Sequence, residues 1–166
     1  TSLIPIIVLG SIIAISVFSM RARVKSAFKS DVTHQHPMDI IINNEGKVLL
    51  GKRKGSHGSE AWAFPGGHTE SGETFIDCAK RETLEETGLR LETLNSGPVT
   101  RDFFEDLNVE YVTHFIVAKY TEGNPEVREP DKCESWHWIS WPDLVELRDT
   151  LFKRPFQPPS ATASKK

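Results

Sequence analysis

Cysteine is almost missing from this chain: Cys78 and Cys133 are all that its 166 residues contain. Two thiols build no disulfide framework, so they read as buried or inert groups of a reducing compartment. A surplus of cations is missing too. Lys and Arg number 20 against 23 Asp and Glu, a formal net charge of −3, so no basic surface marks a binder of nucleic acid polymers and a small-molecule partner is expected. No internal repeat is visible. What is left, 38% hydrophobic residues in a chain of ordinary length, is enough for one core and a single domain.

One stretch, Gly67 to Leu89, is dense with information. Glu82, Glu85 and Glu86 stand at i, i+3 and i+4, and on a helix turning about 100° per residue they share one face. Two carboxylates about 5 Å apart repel by roughly 3 kcal/mol at an effective dielectric of about 20, which protonation or a bound cation must relieve. Oxygen donors with no Cys or His among them suit a hard ion, Mg²⁺ or Mn²⁺. A solvated acidic face is the plainer reading of such a run. It fits poorly, because Phe75, Ile76, Ala79 and Thr83 form an adjacent stripe that sets the glutamates beside the buried face rather than opposite it. Pro65-Gly66-Gly67 breaks the preceding segment, Ser71 and Thr74 offer hydroxyl caps and Gly88 a stop, which predicts a helix over Glu73–Thr87. Arg81 is able to hold a carboxylate by paired hydrogen bonds; Glu73 is within its reach only if the helix entry folds back.

Gly, five residues, Glu, seven residues, then Arg-Glu-aliphatic-x-Glu-Glu-x-Gly-aliphatic is the Nudix box, and Gly67–Leu89 resembles it with one departure, Thr83 in the aliphatic slot. Thr is β-branched and nearly isosteric with Val, but its hydroxyl needs a partner such as a carbonyl one turn back. The likeness continues through Val48–Ser56, Trp62–His68 and Pro130–Trp138, covering about residues 38 to 152. These segments are similar to the branch of Nudix hydrolases that holds eukaryotic nucleoside triphosphate diphosphatases acting on purine and oxidised purine nucleotides. The resemblance implies an α/β/α sandwich with a mixed sheet, the box forming a loop and helix, and water attacking a phosphorus of a nucleoside diphosphate linked to another group. It implies Glu82 and Glu86 as principal metal ligands and Glu85 as a further ligand or the residue that activates water. The Gly66 carbonyl would complete the shell, with Arg81 and Glu73 orienting the cluster. Arg53, Gly66, Gly67 and His68 fall at the substrate, although Arg53 also reads as a solvated strand end. An acid outside the box is sought among Glu105, Glu110 and Glu134.

Strands are predicted over Asp39–Asn43, Lys47–Arg53, Trp62–Phe64, Val99–Glu105, Tyr111–Tyr120 and Trp136–Ile139, with a short helix opening at Trp141-Pro142-Asp143. Trp62, Phe64, Trp136 and Trp138 either stack a base or, the commoner use at strand spacing, fill the core. The domain is expected over residues 38–156, with a disordered tail over 157–166. Leu3 to Phe18 carries no charge, and a helix to Met20 would be about 27 Å long, close to a bilayer core of about 30 Å. With Arg21, Arg23, Lys25 and Lys29 after it, residues 1–20 read as a transmembrane anchor that leaves the catalytic domain in the cytosol. Translation from Met20 would instead give a soluble cytoplasmic or mitochondrial protein. Residues 21–37 read as linker, with His34 and His36 solvated in it. Self-association into a homodimer is left open.

Three functions fit these residues. The first is Mg²⁺-dependent hydrolysis of a nucleoside triphosphate, oxidised or non-standard dGTP or GTP among them, to monophosphate and pyrophosphate. The second is hydrolysis of a prenyl or other small organic diphosphate, favoured by Lys153-Arg154-Pro155 where the related branch continues with residues that close over the base. The third is a catalytically silent binding module.

Overall fold

The computed structural model describes residues 32–54, 60–104, 108–120 and 122–151. The expected anchor, most of the linker, Gly55–Ser59, Glu105 and the tail lie outside them. Among the described residues no helix is long and apolar enough to cross a membrane. The elements run β1 (Val32–Ile42), β2 (Val48–Arg53), β3 (Trp62–Ala63), α1 (Phe75–Thr87), β4 (Glu92–Phe104), β5 (Val109–Lys119), β6 (Cys133–Ile139) and α2 (Trp141–Leu151).

The sheet runs β3-β2-β1-β5-β4, with β6 paired to β2. All its pairings are antiparallel except β1 with β5, which is parallel from Val32 opposite Val109 to Ile42 opposite Lys119. That ladder corrects the linker boundary: Val32 to Pro37 form the first half of β1. Their polar sequence carries little strand signal, and a neighbouring strand supplies the order that local pattern does not. Proline in an inner strand usually removes a ladder bond. Here Asp39 N–H, two residues on and so on the same edge, points away from β5 and donates to the Pro65 carbonyl at 2.8 Å. Pro37 therefore faces that edge and costs the β1–β5 ladder nothing.

Side chains alternate between the two faces of the sheet. One face sends Ile40, Leu50, Phe115 and Val117 against Leu144 and Leu151 of α2. On the other, Ile41, Leu49, Leu89 and Tyr120 make a second core, onto which Trp136 and Trp138 pack. Fully burying each large aliphatic side chain contributes roughly 1.5–3 kcal/mol, which is what clamps helix and sheet together. The result is the α/β/α sandwich that the resemblance implied. Trp138 stacks on Tyr120 at 5.6 Å and Phe64 meets Phe115 edge-on at 6.1 Å, so these aromatics fill the core.

Candidate active site

Three pieces of chain meet at one end of β1: the Pro65–His68 loop, the entry to α1, and the glutamate face of that helix. β1 and β2 pair at Ile42 and Val48, while β3 joins the far end of β2 through Gly51–Ala63 and Lys52–Trp62. β3 thereby delivers Pro65 beside Asp39. Gly66 has φ 142° and passes so close to β1 that a Cβ there would lie 2.6 Å from the Pro37 carbonyl oxygen. A Cβ on Gly67 would collide with the Glu82 carboxylate. Only a backbone without side chains allows loop and helix to approach this closely.

Helix α1 starts at Phe75, two residues later than predicted, with Thr74 as its N-cap: the Thr74 hydroxyl accepts from Asp77 N–H at 3.1 Å. Before the cap the chain turns back on itself. Glu73 N–H donates to the Glu70 carbonyl at 3.1 Å, and Glu70 N–H donates to the Glu73 carboxylate at 2.9 Å. This fold-back brings Glu73 within reach of Arg81, whose Nε and Nη2 donate to its two oxygens at 2.9 Å each. The same guanidinium donates through Nη1 to Glu82 at 2.9 Å and Glu85 at 3.2 Å, and through Nη2 to the His68 carbonyl at 3.0 Å. Arg81 is therefore the hub of the site. Its hydrogen bonds hold the Glu73 carboxyl down to about 2, while its own pKa is raised.

The three box glutamates differ sharply in setting. Glu85 is exposed and reaches only Arg81 among its described partners. Glu82 lies against Gly67 with its side chain 17% exposed. Glu86 is turned inward, where its Oε2 accepts from Gly66 N–H at 3.1 Å. Burial, with the nearby charges of Glu82 and Glu129 adding to it, pushes the Glu86 carboxyl up to about 8. Among the described residues no three His, Cys, Asp or Glu side chains are gathered closely enough to enclose an ion. The donor set nevertheless suits a hard cation: carboxylate oxygens that repel one another are relieved by divalent positive charge.

Other candidates fall elsewhere. Glu110 pairs with Arg101 at 3.1 Å, and Glu134 and Glu60 flank Lys52 at 3.3 and 3.2 Å. Arg53 ends β2, its N–H donating to the Ala61 carbonyl at 2.8 Å. An acid outside those candidates, Glu129, lies near enough to Glu86 to raise its pKa, and its own carboxylate pairs with Lys132 at 2.8 Å. Its segment is held to the end of α1 by Glu126 N–H to the Thr87 carbonyl, 2.9 Å, and Arg128 N–H to that of Glu86, 3.2 Å. No local pattern singles out one glutamate in Glu126-Val-Arg-Glu129. His34 and His36 are likewise part of the sheet and not of a solvated linker. His34 stacks on Tyr111 at 5.1 Å, and the His36 ring lies 6.1 Å from that of His68.

Thr83 resolves differently from expectation. Its hydroxyl donates to Asp39 Oδ2 on β1 at 2.7 Å, not to a carbonyl one turn back. Asp39 is fully buried, and desolvation, opposed by the Thr83 hydrogen bond and reinforced by Glu82, pushes its carboxyl up to about 7. Cys78 is buried and its thiol pushed up to about 12, as an inert core thiol would be.

A sandwich with a glycine loop and a glutamate helix clamped by one arginine defines a class before any particular substrate. The NUDIX domain model matches residues 34–158. An oxidized purine nucleoside triphosphate hydrolase of Danio rerio is 36% identical over 87 residues, 52% of this chain and 55% of that protein, so the chain spans about half the length of that relative. An RNA pyrophosphohydrolase of Psychrobacter cryohalolentis is 28% identical over 145 residues, 71% of this chain and 79% of that one. The crystal structure of a MutT NUDIX hydrolase from Burkholderia pseudomallei superposes with a TM-score of 0.60 at 28% identity, covering 66% of this chain and 84% of that chain. The chain belongs to the Nudix hydrolases.

Proposed function

We propose that the chain hydrolyses a nucleoside triphosphate to the monophosphate and pyrophosphate, with oxidised or otherwise non-standard dGTP or GTP as the favoured substrate. The observation that carries this reading is the pairing of Glu82 and Glu86 with the Gly66–Gly67 loop: two half-buried acids stand where backbone approaches without side chains. Glu82, Glu86 and the Gly66 carbonyl are the proposed ligands of a Mg²⁺ or Mn²⁺ ion, with Glu85 and Glu129 within call of the same cluster. A bound divalent ion supplies charge neutralisation at phosphoryl oxygens and acidifies water. Arg81 and Glu73 fix the orientation of Glu82 and the loop, the kind of support that holds ligands in place. Glu85 is the least constrained of the glutamates and so the one free to take a proton from attacking water. Gly66, Gly67 and His68 would bring the loop against the substrate phosphates, and Arg53, at the end of β2, would counter their charge.

The similarity to an oxidized purine nucleoside triphosphate hydrolase supports this substrate, and the similarity to an RNA pyrophosphohydrolase supports a second, a phosphoanhydride at the end of RNA. The net charge of −3 favours the small molecule. A panel of dGTP, 8-oxo-dGTP, ADP-ribose, a 5′-triphosphate RNA oligonucleotide and geranyl diphosphate, each with Mg²⁺, separates the readings. Monophosphate and pyrophosphate from a nucleoside triphosphate are expected to dominate; turnover of geranyl diphosphate alone would overturn the proposal, and so would turnover of none.

A further inference from the structure

Asp39 is a buried acid that the proposed reaction does not use. Its Oδ2 accepts from Thr83 at 2.7 Å, while its Oδ1 is buried with no hydrogen-bond partner. An unsatisfied buried carboxyl oxygen is a cost that core stability alone does not explain. Both partners depart from what their positions otherwise ask for: Asp39 interrupts the apolar run of an inner strand, and Thr83 occupies a helix position that faces the sheet. The backbone of the same residue makes a second connection, Asp39 N–H to the Pro65 carbonyl at 2.8 Å. Pro65 precedes the Gly66–Gly67 loop, and Thr83 follows Glu82 directly. One residue of β1 therefore grips both halves of the site, the loop through its amide and the helix through its carboxyl.

We infer that Asp39 is a positioning residue for the metal site: by tying the loop and α1 to one point of β1, it fixes the rotation of the helix and so where Glu82 stands against Gly67. This rests on the metal-dependent reading proposed above. The bond to Thr83 does this directionally, in a way that apolar packing does not, since a hydroxyl–carboxyl contact fails within a few tenths of an ångström while methyl contacts slide. Supports of this kind behind metal ligands typically carry about 10- to 100-fold in metal affinity.

The test is a Mn²⁺ titration followed by electron paramagnetic resonance, with thermal unfolding measured on the same samples. In the Asp39→Val/Thr83→Val double variant both polar partners go together, a replacement that is often nearly neutral for folding. It is expected to melt near the wild type yet bind Mn²⁺ at least about tenfold more weakly. Asp39→Asn keeps an acceptor for Thr83 and is expected to retain affinity within about twofold, since geometry and not charge is the agent. Wild-type affinity in the double variant would overturn the inference, as would an Asp39→Asn loss as large as that of the double variant. Should the double variant not fold, Thr83→Ser against Thr83→Ala decides: retention in Ser with loss in Ala supports the inference, and equal affinities overturn it. A wild type that binds no Mn²⁺ would sink the metal reading itself, and the inference with it; binding by the wild type with unchanged binding by the variants sinks the inference alone.

Discussion

His36 shows how a single side chain ties this fold to pH. Burial, with the nearby imidazoles of His68, His114 and His34 adding to it, lowers its pKa from 6.5 to about 4. Its Nε2 lies 3.2 Å from the Thr113 hydroxyl, and its Nδ1 is buried without a partner, so the ring is held neutral. In the unfolded chain the imidazole takes up a proton below about 6.5, whereas in the fold it resists until about 4. The sign follows: stability is fullest above pH 6.5 and falls as pH drops toward 4. This residue alone should cost on the order of 2 kcal/mol between pH 7 and pH 5. His36→Phe, followed by urea unfolding at both pH values, is expected to lose that share of the slope. A variant with the same pH dependence as the wild type would show that His36 is not the sensor.

At the scale of elements, α1 is the piece on which the rest depends, and its ends are set chemically. Gly88 closes it with φ 75°, its N–H donating to the Leu84 carbonyl at 3.0 Å, and the Arg128 guanidinium covers the place a Cβ would take. Gly88→Ala is expected to destabilise by about 1–2 kcal/mol through left-handed backbone strain, and Gly88→Asn by less. Equal stability of Ala and Gly in denaturant melts would contradict this account of the helix stop. The same element shows what could be read in advance. Glutamate spacing, caps and the glycine stop are local signals, so α1 was predictable to within two residues at its start. Its partners were not. The Thr83–Asp39 bond spans 44 residues, and the approach of Glu129 needs a loop to fold back. The predicted start of β1 at Asp39 falls late because His-Gln-His-Pro lacks strand character until β5 pairs with it. The predicted start of β4 at Val99 falls late because Gly97-Pro98 has the composition of a break, whereas the ladder absorbs it as an irregularity between Ser96 and Val99.

For the whole molecule, the sandwich serves to press a glycine loop onto the acidic face of a helix. β1 carries the loop at Asp39, the first core holds α2 to one face, the Thr83–Asp39 bond ties α1 to β1, and Arg81 spans the helix entry, the loop carbonyl and two of the glutamates. The central claim is that Glu86, turned into this cluster, serves chemistry and not folding. Glu86→Gln keeps a carbonyl oxygen for Gly66 N–H and stays uncharged at every pH, so the fold should survive intact. The most direct measurement is therefore Mg²⁺-dependent turnover of the leading nucleotide by wild type and Glu86→Gln, with melting curves recorded alongside. A fall in turnover of at least about a hundredfold with unchanged melting is predicted; equal turnover by the two proteins would contradict the account.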